Sequence, residues 1–119
     1  FVTEAVERMQ GGEIFVPKMP SIKITDLAEA LAPECKIEIV GIRPGEKLHE
    51  VMIPEDDARS TVEYERHFSV LPSFRDDGSS KCESQGGVKR KEGFRYSSDT
   101  NRDWLSAEQL RTLLNDPVD

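Results

Sequence analysis

The pattern of apolar and polar residues predicts alternating helices and strands in the first third of the chain. Apolar side chains recur at helical spacing over residues 1–10, and a Gly-Gly pair suited to a helix stop follows. Residues 14–16 form a short β-branched and aromatic run that a proline closes, which is typical of a strand. Thr25 is a suitable N-cap for a second helix, which Pro33 ends. Residues 37–42, the next apolar run, are predicted to form a mostly buried strand.

A tight corner is predicted where this last strand ends. Pro44 has no N–H for a sheet and favours an extended backbone at Arg43, while Gly45 permits a sharp turn. Arg43 and Glu46 should therefore flank the corner. A guanidinium presents a planar set of donors suited to phosphate, and a carboxylate can accept hydrogen bonds from two vicinal hydroxyls. Together these side chains suit a nucleoside diphosphate.

The rest of the chain shows further strands and one more helix. Residues 46–53 have the apolar spacing of a short helix, with a continuing strand as the alternative. Residues 61–64 and 68–71 carry enough β-branched and aromatic side chains for two strands. Residues 76–93 are polar, rich in glycine and without periodicity, so we expect a mobile loop. Residues 106–109 form a capping-box pattern that begins a final helix.

Composition and charge limit the possible partners. With 119 residues, of which 36% are hydrophobic, the chain is at most one domain with a modest core. Its net charge of −7 argues against nucleic acid or an anionic membrane surface as a partner. Since no apolar run approaches the roughly 20 residues that span a bilayer and no signal peptide is evident, we expect a cytoplasmic protein. Cys35 and Cys82 lack metal-ligand spacing and are expected to be free thiols.

Other candidate site residues favour structural roles. His49 follows the corner without a carboxylate or nucleophile at a suitable spacing, and His67 is predicted to be an exposed strand residue. The consecutive carboxylates of residues 55–57 point apart on any regular backbone, so we predict a solvated acidic turn and no metal site. The basic run at residues 89–91 is expected to be solvated.

Four stretches of the sequence carry a family resemblance. They resemble the carboxy-terminal part of the inverting UDP-N-acetylglucosamine 4,6-dehydratases, which are extended short-chain dehydrogenase/reductases of pseudaminic acid synthesis and flagellin glycosylation. The resemblance is dense over residues 1–72 and returns once later. The stretches are ERMQGGEIFVPKMP at 7–20, ITDLA at 24–28, GIRPGEKLHEVMI at 41–53 and YSSDTNRDWL at 96–105.

The resemblance implies an α/β fold, namely the C-terminal substrate-binding portion of an extended short-chain dehydrogenase/reductase without its Rossmann half. A small mixed sheet with short helices is expected. The implied regions are a nucleotide-sugar-binding region at 1–72, a flexible polar loop at 73–95, and an anchor segment with a helix at 96–119. The resemblance assigns the pyrophosphate of a UDP-sugar to Arg43 and the uridine ribose to Glu46.

A second candidate ligand surface is the strand end at residues 15–18, which faces the nucleotide in the proteins that this chain resembles. A plain core strand is an equal alternative, so these residues are not assigned to the site.

The motifs for cofactor binding and catalysis are missing from the sequence. No Gly-x-x-Gly-x-x-Gly fingerprint follows a strand. Neither tyrosine has a lysine four residues on, because the fourth residue after Tyr64 is Phe68 and the fourth after Tyr96 is Thr100. The resemblance therefore implies an intact NADP-dependent lyase whose cofactor site lies outside this chain. No catalytic, cofactor-binding or metal-binding residue is predicted here, and the chain alone is expected to be inactive.

The implied partners are a UDP-sugar, the missing N-terminal Rossmann region and further copies in a homo-oligomer. Two alternatives stay open. In the first the chain is a region of another nucleotide-sugar epimerase or reductase, and in the second it is a non-catalytic assembly domain.

Overall fold

The computed structural model describes residues 1–73, 82 and 84–115. The chain divides into two compact units. The sheet unit comprises Phe1–Lys18 and Val51–Ser97, and the helix-pair unit comprises Met19–Glu50 and Ser98–Asp119. The implied regions 1–72, 73–95 and 96–119 stay a prediction about the roles of these segments.

The sheet unit contains a four-stranded antiparallel sheet. Its strands are β1 (Ile14–Pro17), β3 (Thr61–Glu63), β4 (His67–Val70) and β5 (Val88–Lys89), and they lie in the order β1-β4-β3-β5. A hairpin joins β3 to β4, and the Tyr64 N–H donates to the His67 carbonyl across its turn over 2.8 Å. In the register of β1 and β4, Val16 lies opposite Phe68.

A second sheet of the same unit pairs β2 (Val51–Ile53) with β6 (Tyr96–Ser97), also antiparallel. The unit further contains helix α1 (Val2–Arg8) and a 3-10 helix (Glu55–Ser60). The α/β class with short helices is confirmed. The expected mixed sheet is corrected in detail, because the named strands pair antiparallel throughout and lie in two separate sheets.

The core of the sheet unit is as small as the composition predicts. Ile53 is fully buried, and Val16 and Phe68 are 5% and 4% exposed. The Phe68 ring contacts two further aromatic rings, with centroid distances of 4.8 Å to Tyr96 and 5.4 Å to Phe94. These side chains join the two sheets through one aromatic cluster.

The helix-pair unit packs α2 (Ile24–Leu31) against α3 (Ala107–Asn115). The capping box of α3 is confirmed, because Gln109 N–H donates to Ser106 Oγ over 3.2 Å and Ser106 N–H donates to Gln109 Oε1 over 2.8 Å. The predicted N-cap of α2 is wrong. The helix begins at Ile24, so Thr25 lies within it and the extended Lys23 takes the N-cap position.

Backbone hydrogen bonds hold the segment before α3 within this unit. The Ser21 N–H donates to the Asp103 carbonyl, and the Leu105 N–H donates to the Ser21 carbonyl, each over 2.8 Å. Asn101 Nδ2 donates to the Met19 carbonyl over 2.7 Å. Since Ser21 is buried, these bonds replace water that its backbone has lost.

The strand predicted at residues 37–42 is wrong. In the described part of the chain these residues pair with no strand, and Ile39 and Val40 are 87% and 76% exposed. The apolar pattern matches a strand, but a strand needs hydrogen-bonding partners that the pattern itself does not supply. The helix predicted at 46–53 is also wrong. The alternative prediction, a continuing strand, is confirmed for Val51–Ile53, which pairs with β6.

The predicted polar loop lies partly outside the described residues, which omit 74–81 and 83. Its described part contains β5, a strand that the sequence analysis missed. β5 pairs with β3, and the Arg90 N–H extends this pairing by donating to the Thr61 carbonyl over 2.9 Å. Mobility of the remaining loop stays a prediction.

Candidate functional site

The predicted corner is present as a tight turn from Arg43 to Glu46. The Glu46 N–H donates to the Arg43 carbonyl over 3.1 Å. Gly45 has a φ of +89° and follows Pro44, and both features match the residue preferences of a type II turn. The prediction that Arg43 and Glu46 flank a sharp corner is confirmed.

The Glu46 side chain closes the same turn from the opposite direction. Its Oε2 accepts a hydrogen bond from the Arg43 N–H over 2.8 Å. Arg43 and Glu46 are both exposed. The Arg43 guanidinium forms no ion pair or hydrogen bond with any residue that the structure describes, so its planar donors are available to an anion.

A second set of bonds fixes the chain four residues after the corner. Glu50 and Ser98 exchange two hydrogen bonds, from Glu50 N–H to Ser98 Oγ over 3.1 Å and from Ser98 N–H to the Glu50 carbonyl over 2.9 Å. The His49 ring approaches the same hydroxyl at 3.4 Å. His49 thus contacts an anchoring group, which agrees with the structural role predicted for it.

Lys18, at the end of the second candidate surface, is engaged by an ion pair. Its Nζ lies 2.6 Å from Glu63 Oε1 and 5.1 Å from the centroid of the Phe68 ring. Arg90 pairs with the other oxygen of the same carboxylate. Burial lowers the pKa of Lys18, and the charge of Arg90 adds to this effect. The neighbouring Val16 is buried, as the core-strand alternative requires.

His67 is buried, and its prediction as an exposed strand residue is therefore wrong. It is 7% exposed, and the register of β1 and β4 places Pro17 beside it in the sheet. The Tyr64 ring stacks on the His67 ring, with a centroid distance of 4.7 Å and an angle of 14° between the ring planes, and the Phe15 ring centroid lies 5.7 Å away. No local sequence pattern identifies this burial, since it depends on strand pairing distant in sequence.

These rings line a cleft of about 760 Å³ in the sheet unit. Burial lowers the pKa of His67, and burial together with a hydrogen bond to Cys82 raises the pKa of Tyr64. At neutral pH both rings are therefore uncharged. Apart from Arg8 and nearby carboxylates, the cleft offers stacking and neutral hydrogen bonding, which differs from the charged corner.

The remaining candidates do not form a site. The acidic residues Glu55–Asp57 lie exposed in the first turn of the 3-10 helix, as predicted for a solvated turn. Among the described residues, no three His, Cys, Asp or Glu side chains are grouped so that they could hold a metal ion. Within the same residues, no helix has the length and apolar character needed to cross a membrane.

Comparison with known proteins supports the resemblance found in the sequence. A family profile described as polysaccharide biosynthesis protein matches residues 1–72, which include the whole corner. The chain is 49% identical to the UDP-N-acetylglucosamine 4,6-dehydratase (inverting) of Campylobacter jejuni, over 97% of this chain and 36% of that protein. The chain thus spans about a third of this relative.

Two further proteins extend the comparison. UDP-glucose 4-epimerase of Rickettsia canadensis is 30% identical over 95% of this chain and 34% of its own length. The X-ray structure of Pen from Bacillus thuringiensis superposes with a TM-score of 0.73 at 30% identity, covering 94% of this chain and 33% of that one. The α/β fold and the predicted resemblance are therefore confirmed.

Proposed function

Because the chain belongs to the polysaccharide biosynthesis protein family, we propose that it is the C-terminal substrate-binding region of a UDP-N-acetylglucosamine 4,6-dehydratase that inverts C5. The observation that carries this proposal is the 49% identity to a dehydratase of that name over 97% of the chain. The aligned length includes the exposed turn, where a guanidinium without a partner among the described residues and a carboxylate offer groups suited to UDP.

In this proposal Arg43 binds the pyrophosphate and Glu46 binds the ribose. The guanidinium donates two parallel hydrogen bonds to phosphate oxygens, and its charge offsets theirs. Within the part of the chain that the structure describes, only Oε2 of Glu46 has a hydrogen-bond partner, the Arg43 N–H, so Oε1 can accept from a ribose hydroxyl. The turn brings both groups to one corner of an exposed segment, where a ligand can reach them.

The chemistry of the intact enzyme is assigned to the part of the protein outside these residues. There a Rossmann region would hold NADP, which would supply the hydride-transfer chemistry of the reaction. The present chain contributes substrate binding and is inactive alone. We place the intact enzyme in the cytoplasm as a homo-oligomer of pseudaminic acid synthesis, which supplies flagellin glycosylation.

A second candidate is a region of a nucleotide-sugar epimerase or reductase. The 30% identity to a UDP-glucose 4-epimerase over 95% of the chain favours it as the runner-up. The two activities differ in their products, because a dehydratase eliminates water and an epimerase conserves all atoms. Mass spectrometry of the intact protein's product from UDP-N-acetylglucosamine therefore distinguishes the two activities, because the dehydratase product is lighter by one water, about 18 mass units.

The binding role is tested by calorimetry of the intact protein with UDP. Loss of a charge-assisted hydrogen bond costs about 1.5 to 3 kcal/mol, so Arg43→Ala should weaken binding roughly 10- to 150-fold. Arg66→Ala, which removes an exposed arginine from the β3–β4 turn, is the matched control and should leave affinity unchanged. Equal UDP affinity in the Arg43→Ala variant and the parent would contradict the assignment. If the chain is instead an assembly domain, the parent protein should not bind UDP; self-association in sedimentation experiments is expected in both cases, since we also propose a homo-oligomer.

A further inference from the structure

The reciprocal hydrogen bonds between Arg43 and Glu46 point to a role for Glu46 beyond ligand contact. The Glu46 N–H donates to the Arg43 carbonyl, and Glu46 Oε2 accepts from the Arg43 N–H. Both polar groups of the Arg43 backbone are thus bound by one residue. Because Cα lies between these two groups and carries Cβ, the pair of bonds fixes the direction in which the Arg43 side chain leaves the backbone.

The surrounding backbone makes this local restraint important. The corner lies in an exposed stretch between α2 and β2 that, in the described chain, belongs to no helix or sheet. Apart from the corner, the bonds that hold this stretch to described residues lie at its two ends, at Ala32 and Cys35 and where His49 and Glu50 meet Ser98. An arginine on an unrestrained segment would lose conformational entropy on binding, whereas a preformed turn has already paid most of that cost.

We propose that Glu46 is the positioning residue for Arg43, in addition to any contact of its second oxygen with ligand. This inference rests on the proposed function of the corner and deepens it. Glu46 holds the turn through Oε2, and the turn presents the Arg43 guanidinium to the diphosphate. The role requires an acceptor oxygen at this position and does not require its negative charge.

Electrostatics and positioning predict opposite outcomes for a ligand without a ribose. Removing a carboxylate beside an anion site should strengthen the binding of inorganic pyrophosphate, because like charges repel. Removing a positioning residue should weaken it. Gln at this position keeps an acceptor oxygen and loses the charge. Comparison of Glu46→Gln with Glu46→Ala therefore separates the effect of the hydrogen bond from the effect of the charge.

The experiment titrates the intact protein and its variants with inorganic pyrophosphate and, separately, with UDP. Glu46→Ala should weaken pyrophosphate binding by about 3- to 10-fold, the range expected for one lost hydrogen bond. Glu46→Gln should bind pyrophosphate at least as tightly as the parent. Unchanged or tighter pyrophosphate binding by Glu46→Ala, with UDP binding weakened, would overturn the inference and leave Glu46 as a ribose contact.

Hydrogen exchange of the Arg43 amide provides a second readout that needs no ligand. The amide should exchange faster in Glu46→Ala than in the parent and should keep its protection in Glu46→Gln. Equal exchange rates in all three proteins would overturn the positioning role. Failure of the proposed function gives a different result, namely UDP affinity unchanged in Arg43→Ala, so the two failures are distinguishable.

Discussion

The Tyr64 ring stacks on His67, with centroids 4.7 Å apart and ring planes 14° from parallel. His67 is buried and lies opposite Pro17 of β1 in the four-stranded sheet, directly after the hairpin turn. A charged imidazolium in this position would lose hydration. The buried ring therefore links the stability of the sheet unit to pH.

We predict that the stability of the chain decreases as the pH is lowered from 7.5 through 6.5 to 5.5. Burial lowers the pKa of His67 below its usual 6.5, and the charges of Arg8 and Lys18 lower it further, while Glu4 opposes them. The unfolded chain therefore binds a proton that the folded chain resists, so the stabilisation present above pH 6.5 is lost as the pH falls towards the pKa of the folded state. Urea unfolding at each pH measures the change.

The matched variant for this prediction is His67→Phe. It keeps an aromatic ring in the stack and removes the titrating group, so its free energy of unfolding should fall less between pH 7.5 and 5.5 than that of the parent. Carboxylates contribute equally to both proteins, which leaves His67 as the difference. Identical pH dependence in parent and variant would show that His67 has the same pKa in the folded and unfolded chains.

Gly87→Ala should destabilise the sheet unit by about 1 to 3 kcal/mol, the usual cost of overpacking a filled site. Gly87 is buried, and a Cβ there would lie 2.6 Å from Val62 Cγ1 and 2.8 Å from the carbonyl oxygen of Cys82. The carbonyl cannot rotate away, because it accepts the Gly87 N–H over 2.9 Å. Thermal unfolding measures the effect, and a Tm equal to that of the parent would contradict the observed packing.

Features closed by local bonds were predictable from sequence. The Pro44–Gly45 turn and the Ser106 capping box each need only residues three apart in the chain, and both are present. The predicted site residues Arg43 and Glu46 are brought together for the same reason. The sequence also predicts a sharp turn at Gly45, and the φ of +89° observed at this residue agrees with that prediction.

Features that depend on distant pairing were not predictable. Residues 37–42 have the composition of a strand, yet no described strand pairs with them. Conversely, β5 has only two residues and little strand character, and it exists because β3 provides its partner. The burial of His67 follows from the register of β1 and β4, which are about 50 residues apart and whose alignment no local pattern specifies.

We expect Ser106→Ala to destabilise α3 by about 1 kcal/mol, the typical cost of a lost N-cap. The substitution leaves the Gln109 N–H without its acceptor, while the Ser106 N–H can still donate to the Gln109 side chain. Ser106→Asp supplies another acceptor and should recover most of the loss. Hydrogen exchange in the first turn of α3 is the measurement. Equal protection in Ser106→Ala and the parent would contradict a capping contribution.

Gly45→Ala tests the connection between backbone conformation and ligand binding at the corner. Gly45 has a φ of +89° and Gly41 a φ of +84°, and a Cβ at either position would meet no atom within 4 Å. Alanine should therefore cost about 1 to 2 kcal/mol of backbone strain at both sites, without overlap.

Only Gly45 lies between the residues that bind UDP in our proposal. Calorimetry of the intact protein should thus show weaker UDP binding for Gly45→Ala than for the control Gly41→Ala, because the strained turn releases Arg43 from its position. Equal affinities of the two variants would separate UDP binding from the geometry of the turn.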